Sequence, residues 1–246
     1  MPPDGSPTSP RSRRERPAKP ALTRSGIVDA ALTIMRDEGL SKVTMRRIAG
    51  TLDTGAASLY VYVRDTEDLH AQILDALLGE IGLPAPSGGT WQGQLKALLT
   101  EYTRVLFGYP EIARMAMSTQ PSGPNYLALV DAILGLLREG GVPDREAAWA
   151  VDLLLLFATA TAAEQSTRSQ DWRVADDISA LAGAISRADA ADYPHIARLG
   201  DELLSGEPVR SQWGLDVLLS GILTTRRPDT DVGPDSGPDV GSDGIG

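Results

Sequence analysis

Arg46 and Arg47 stand side by side, just after Thr44 and close to Lys42. A guanidinium can fork onto O6 and N7 of guanine, and a neighbouring cation can reach phosphate oxygens. Arg46 is the candidate for the fork, and Arg47 and Lys42 for the phosphates. Thr44, as a residue that starts a helix, would leave backbone N–H groups where phosphate binds readily. Further on, Ala56, Ala57 and Ser58 are small enough to approach base edges and thymine methyls. Tyr60 and Tyr62 carry hydroxyls that can bond phosphate or base. Together these nine residues form a candidate nucleic-acid edge. The residue types leave a second reading open, because small residues also suit plain helix packing and tyrosines often sit at domain seams.

Other chemistries lack their parts. The chain has no cysteine, which removes disulfides, thiolate nucleophiles and Cys-type zinc sites. It shows no HExxH, no Gly-rich phosphate loop and no GxSxG. Only two histidines occur, His70 and His195. His70 falls on a helix surface or seam. His195 follows Pro194 near a helix start, where it is open to ligand contact. No metal site, cofactor or catalytic residue is expected, and an enzyme is the disfavoured reading.

The charge is unevenly placed. The whole chain of 246 residues carries a net −10, but residues 1–64 are net +5 and residues 65–246 net −15. A basic head on an acidic body is the pattern expected when one end alone meets phosphate. Residues 1–20 are rich in Pro and Ser and hold Arg11, Arg13, Arg14, Arg16 and Lys19. They read as a disordered arm, either solvated or following DNA. Residues 226–246, Asp, Gly and Pro in loose repetition, read as a disordered acidic tail. No export signal is visible. The longest apolar run, Ala147 to Ala163, is interrupted by Asp152 and reads as a buried helix rather than a membrane span. The expected location is the cytoplasm.

The elements that must position the basic edge are helical. Thr23 is a good N-cap, with Ile27, Ala30, Ala31, Ile34 and Met35 following at helical spacing, and Gly39 stops the helix. Thr44 caps a second helix carrying Met45, Ile48, Ala49 and Leu52. After a break at Asp53-Thr54-Gly55, a third helix is expected over 56–63, with Leu59 and Val63 inward. Asp65 and Asp68 mark the start of a fourth helix. Helix, tight turn, helix between Thr44 and Val63 is the arrangement that projects its second helix into a major groove. Further helices are expected at about 91–107, 110–117, 123–139, 144–168, 175–188, 194–204 and 210–225, separated by Gly and Pro. The fold class is therefore all-α: a three-helix helix-turn-helix head over 21–66 and a helical-bundle body over 67–225.

The run Thr44-Met45-Arg46-Arg47-Ile48-Ala49, then Gly55-Ala56-Ala57-Ser58-Leu59-Tyr60-Val61-Tyr62-Val63, then Asp68-Leu69, resembles the head of the tetracycline-repressor (TetR) family of transcriptional regulators. The resemblance implies backbone contacts from Thr44, Tyr60 and Tyr62, and base contacts from Arg46 and positions 56–58. Asp53 stands where the family's turn usually has Gly, and Thr66 where many members have a phosphate-binding Lys. The body resembles the family's tetracycline-repressor subclass, through Trp91-Gln92, Thr119-Gln120-Pro121, the apolar 147–164 helix and Trp213 to Ile222.

The resemblance further implies a homodimer on palindromic operator DNA, with the 144–168 and 210–225 helices forming the seam, released by a small-molecule effector. The residues agree with the seam: Val151, Leu154, Leu155 and Ala158 make one apolar stripe, and Leu153, Leu156 and Phe157 another. A central helix in a monomer is the alternative. Tyr102, Phe107, Met115, Met117, Tyr126, Trp149 and Phe157 are the candidate lining of an apolar effector cavity, with Glu164 as a polar exception. Ala116 stands where the subclass has a metal-binding His, and Leu98 where it has a drug-gripping Asn. An apolar or amphipathic effector is therefore expected in place of a magnesium–drug complex. A ligand-independent activator or DNA-bound adaptor would share the same head.

Overall fold

Thr23 starts the first helix, as its type predicts. The computed structural model describes residues 21–84, 89–119, 121–170, 172–206 and 209–228. The expected arm over 1–20, and the tail beyond 228, lie outside them. Among the described residues there are eleven α-helices, one 3₁₀ turn and no strand. The chain divides into two compact units, 1–65 and 66–246, against an expected boundary after residue 66.

In the first unit the Thr23 hydroxyl accepts the Gly26 N–H (3.1 Å), and α1 runs Arg24–Glu38. Its buried positions Ile27, Ala31 and Ile34 fall at the i, i+4, i+7 spacing of one helix face. Gly39, at φ 90°, ends the helix with its N–H on Met35 O (3.0 Å). A 3₁₀ turn over Leu40–Lys42 leads to α2, Met45–Thr51. Thr44 caps α2 by accepting the Arg47 N–H (3.2 Å). The turn that follows needs a left-handed residue, and Asp53 supplies it at φ 49°. Aspartate is among the non-glycine residues that enter this region most easily, so the loss of a glycine there does not open the turn.

The third helix is shorter than its pattern suggests. α3 covers Ala56–Leu59. The chain then continues as hydrogen-bonded turns, with the Tyr62 and Val63 N–H groups both on Leu59 O (2.9 and 3.0 Å). Tyr60-Val61-Tyr62-Val63 is a run of aromatic and β-branched residues, which lose side-chain freedom in a helix. Leu59 and Val63 are nonetheless both fully buried, as are Ile27, Ala31 and Ile48. The expected inward pair survives the loss of the helix.

The second unit comprises α4 Thr66–Leu78, α5 Trp91–Phe107, α6 Pro110–Ala116, α7 Pro124–Glu139, α8 Asp144–Gln170, α9 Trp172–Ser186, α10 Pro194–Leu204 and α11 Val209–Thr224. Thr90 caps α5, and prolines open α6, α7 and α10. α9 starts three residues before its expected position because no Gly or Pro lies between 169 and 175 to delay it. A Cβ on Gly140, at the end of α7, would come 2.4 Å from the Trp91 ring, so only glycine lets these two ends meet.

α8 is the axis of the body, packing on α5 and α6 and also touching α7, α9 and α11. By length and composition Asp144–Arg168 is long and apolar enough to cross a membrane. Its packing on five neighbouring helices explains the apolar character instead. Val151, Leu154, Leu155 and Ala158 are buried, while Leu153 and Leu156 stay exposed and Phe157 is half-buried. One stripe of α8 thus belongs to its own body, while Leu153 and Leu156 of the other are left exposed and Phe157 packs toward α11.

Candidate nucleic-acid interface and effector cavity

The head presents its basic edge from the junction of α1, α2 and α3. Lys42, Thr44, Arg46, Arg47, Ala57, Ser58 and Tyr60 are exposed, and Ala56 and Tyr62 are partly exposed. They stay outward because Ile48 and Ala49 on α2, and Leu59 and Val63 around α3, take the core positions between them. A one-turn helix pinned by Leu59 leaves little room for large side chains on its inner side, and its small residues face out.

The two arginines are not equivalent. Arg46 is exposed and has no hydrogen-bond or ion-pair partner among the described residues. Arg47 is held by the last residue of α1: its Nη2 lies 2.6 Å from Glu38 Oε1 and its Nε 3.5 Å from Oε2. The pairing lowers the Glu38 carboxyl below its ordinary pKa, mainly through the hydrogen bond from Arg47, and raises that of Arg47 in return. A fully exposed pair of this kind is screened by water and salt. It aims the Arg47 guanidinium back at α1 without burying it. The sequence reading missed two residues here. Glu38 occupies the Arg47 guanidinium expected to meet phosphate. Val61 is 79% exposed beside the two tyrosines. An exposed β-branched residue in a stretch read as helix was the available sign that the helix stops short.

In the body, the eight expected cavity residues divide among several places. Tyr102, Met117 and Tyr126 converge on a partly open pocket of about 120 Å³. Leu74 of α4, Ala116, Pro121 and the α8 face Asp152, Leu156 and Thr159 complete its wall. Phe157 instead lines a cavity of about 200 Å³ between α5, α8 and α11, with threonines 100, 103 and 161. Trp149 lies in an apolar groove of about 510 Å³ between α8 and α11, where Arg227 stacks 4.2 Å from its ring centroid. Phe107 is 42% exposed at the end of α5, and Met115 is half-buried and lines none of these three spaces. Glu164 points to solvent and pairs with Arg168 one turn on (2.5 Å). Its placement follows from helix spacing, since a charged residue with an i+4 arginine satisfies itself at the surface.

The 120 Å³ cavity has its own polar design. The Tyr102 hydroxyl meets the Thr159 hydroxyl at 2.7 Å in a buried setting. Burial pushes the Tyr102 phenol up to about 12, against the opposing effect of the Thr159 bond. Tyr126 is raised by burial first and by the negative charge of Asp152 second. Both phenols are therefore neutral at physiological pH and can donate or accept a hydrogen bond, while Asp152 is the acidic group of the wall. Asp152, Leu156 and Thr159 are spaced i, i+4, i+7 on α8, one helix face. The two polar interruptions of an apolar helix at that spacing were the sign that this face lines a space.

The chain matches two family models. Residues 27–73 match "Bacterial regulatory proteins, tetR family", and residues 83–226 match "Tetracyclin repressor-like, C-terminal domain". An HTH-type transcriptional regulator of Saccharopolyspora erythraea is 32% identical over 190 residues, 76% of this chain and 78% of that protein. The crystal structure of the transcription regulator SCO7704 from Streptomyces is 51% identical, with a TM-score of 0.73, over 85% of this chain and 98% of the other. The structure of ActR from Streptomyces coelicolor in complex with actinorhodin is 34% identical, with a TM-score of 0.74, over 82% of this chain and 95% of the other.

Proposed function

This chain belongs to the tetR family of bacterial regulatory proteins, and from that premise we propose that it holds a palindromic operator as a homodimer and releases it when an effector enters its cavity. It is a ligand-responsive transcriptional regulator and not an enzyme. The observation that carries the operator reading is the head's outer edge. Arg46, Ala57, Ser58 and Tyr60 are exposed together on a surface whose inner side is sealed by Leu59 and Val63. In this reading Arg46 reads a guanine, positions 56–58 approach base edges, and Lys42, Thr44, Tyr60 and Tyr62 hold the backbone. Arg47 reaches phosphate only by leaving Glu38.

The uncovered stripe of α8 supports a dimer. Trp149, Leu153 and Leu156 on α8, with Val217 on α11, are between 42% and 51% exposed. A second copy related by two-fold symmetry would cover the same residues on both sides. Such a pair places two heads on one duplex, in the cytoplasm where operator DNA is found, with half-sites about one helical turn apart.

Effector binding is assigned to the Tyr102–Tyr126–Thr159 cavity. ActR, at 34% identity, has been solved with actinorhodin bound. The pocket of this chain sets Leu74, Ala116, Pro121 and Leu156 beside two neutral phenols, three hydroxyl side chains and Asp152, which suits a small amphipathic molecule with several hydrogen-bonding groups. A body with such a space favours sensing over a ligand-independent adaptor. Selection of bound sequences from random duplex DNA tests the whole reading. A palindrome with two equal half-sites is expected, whereas recovery of no preferred sequence at low salt would refute it.

A further inference from the structure

α7 begins with a glycine, and its capping side chain comes from another helix. Gly123 occupies the N-cap position with extended backbone and has no side chain to offer the first free N–H groups. The Asp75 carboxylate of α4 takes that place. Asp75 is 8% exposed, and its Oδ1 accepts the Tyr126 N–H at 2.8 Å. This is the N–H that a helix's own N-cap residue ordinarily satisfies. Asn125 completes the clasp, donating from Nδ2 to the Asp75 backbone oxygen (3.0 Å) and to Oδ2 (3.3 Å).

The substitution is steric as well as chemical. A Cβ on Gly123 would lie 2.2 to 2.5 Å from the three terminal atoms of the Asp75 carboxylate. The carboxylate therefore fills the volume that a capping Ser or Asp at 123 would need. Gly79, one turn after Asp75, is also close: its Cβ would meet the Asn125 amide at 3.1 Å. Two glycines and one carboxylate bring α4 and the start of α7 together.

The clasp joins the cavity wall to the helix that follows the head in sequence. Leu74, next to Asp75, lines the effector cavity, and so does Tyr126, whose N–H the carboxylate holds. α4 is also the helix with which the chain leaves the head, starting at Thr66 directly after the first unit ends at Asp65. We propose that Asp75 is a positioning residue for regulation: by capping α7 from α4 it makes the cavity wall and the helix that follows the head move as one piece. The inference rests on the effector and operator reading above.

The test moves the cap from α4 to α7. Asp75→Ala leaves α7 uncapped, and Asp75→Ala with Gly123→Asp returns a carboxylate to the α7 N-cap while removing the carboxylate's tie to α4, the Asn125 bond to the backbone oxygen of residue 75 staying in both. The chain has no cysteine, so Ser41→Cys, at an exposed head position, gives one spin label per protomer. Melting temperature, affinity for the selected operator duplex and the label-to-label distance distribution are measured on full-length, ligand-free protein. The single variant should melt lower. The double variant should regain most of that loss, yet bind operator about 5–150-fold more weakly, with a broader distance distribution.

A double variant that matches wild type in both affinity and distance overturns the inference, while wild-type binding to the duplex leaves the regulator reading standing. Wild type that binds no duplex overturns that reading instead. Gly123→Ala supplies an independent arm through stability alone. It should destabilise the wild-type chain and be tolerated beside Asp75→Ala, because the clashing carboxylate is then gone. An equal loss in both backgrounds would show that the carboxylate is not seated against residue 123 and overturns the proposal.

Discussion

Replacing Arg46 by alanine separates base reading from backbone holding more sharply than any other change in the head. Arg46 is exposed and has no partner among the described residues, so its removal should leave folding stability within about 0.5 kcal/mol. A guanidinium forked onto guanine contributes about 1–3 kcal/mol of discrimination per contact. A dimer makes the contact twice, so the loss on the operator is about 2–6 kcal/mol, or roughly 30-fold to 10⁴-fold. The assay is fluorescence anisotropy on two duplexes, the selected palindrome and a version with one base pair changed in both half-sites. At the position Arg46 reads, wild type should lose on the changed duplex about what Arg46→Ala loses on the original. The variant should then bind both duplexes equally, with the salt dependence of wild type. Uniform weakening on every sequence, with a salt slope reduced by about one per half-site, would show that Arg46 touches only phosphate and would refute the assignment.

Glu38→Gln should release Arg47 toward DNA; a steeper salt dependence of operator binding is expected, and an unchanged slope would show that Arg47 stays out of contact. Tyr102 makes the body sensitive to alkali. Its folded pKa of about 12 lies above the ordinary value of 10.0, so its contribution is intact below pH 10 and is lost as pH rises toward 12. The loss is on the order of 3 kcal/mol, from about 1.36 kcal/mol per pH unit. Tyr102→Phe should flatten that part of the stability–pH curve, read by denaturant melts between pH 9 and 12, and an unchanged curve would contradict the buried phenol. Leu153→Glu should leave the helix content of the protomer intact, since the residue is 42% exposed, but place two carboxylates in the proposed seam. Sedimentation should then report monomers and operator affinity should collapse, whereas a persistent dimer would move the seam elsewhere.

The helical order of the chain was written in its punctuation. Thr23, Thr44 and Thr90 cap where their types suggest, and Gly39, Gly108 and Gly140 end helices. Local chemistry decides such points, so local sequence reveals them. The body's interior was less legible because helix faces are assigned by partners distant in the chain. Leu156 belongs to the seam stripe by its spacing, yet it also lines the cavity, and nothing in the sequence around Thr159 announces that it holds the Tyr102 hydroxyl. Phe107 and Trp149 are large and apolar, which suggests burial, but they lie at a helix end and in an open groove. The Asp75 clasp was invisible for the same reason. Nothing near residue 75 announces that a helix N-terminus about fifty residues later lacks its own cap. Gly123 was the one available hint, since a glycine before Pro124 opens a helix without a capping side chain.

Cavity size bears on how release would work. Pockets that enclose drug-sized molecules measure about 300–1,000 Å³, and the space lined by Tyr102, Tyr126 and Thr159 is about 120 Å³. A molecule of that class fits only by extending through the open side or by enlarging the pocket, whose wall includes Ser118, Thr119 and Pro121 from between α6 and α7. Enlargement would make the affinity differ between a narrow and a widened pocket, which a ligand needs if it is to shift their populations. Moving an equilibrium from 1:99 to 99:1 takes about 5.5 kcal/mol of differential binding. Burying one apolar side-chain-sized group gives about 1.5–3 kcal/mol, so two to four such groups are required. An effector that switched the protein fully would on that basis carry two to four apolar groups, and an enlarged pocket would press on Leu74 and Tyr126, the cavity residues on either side of the Asp75 clasp.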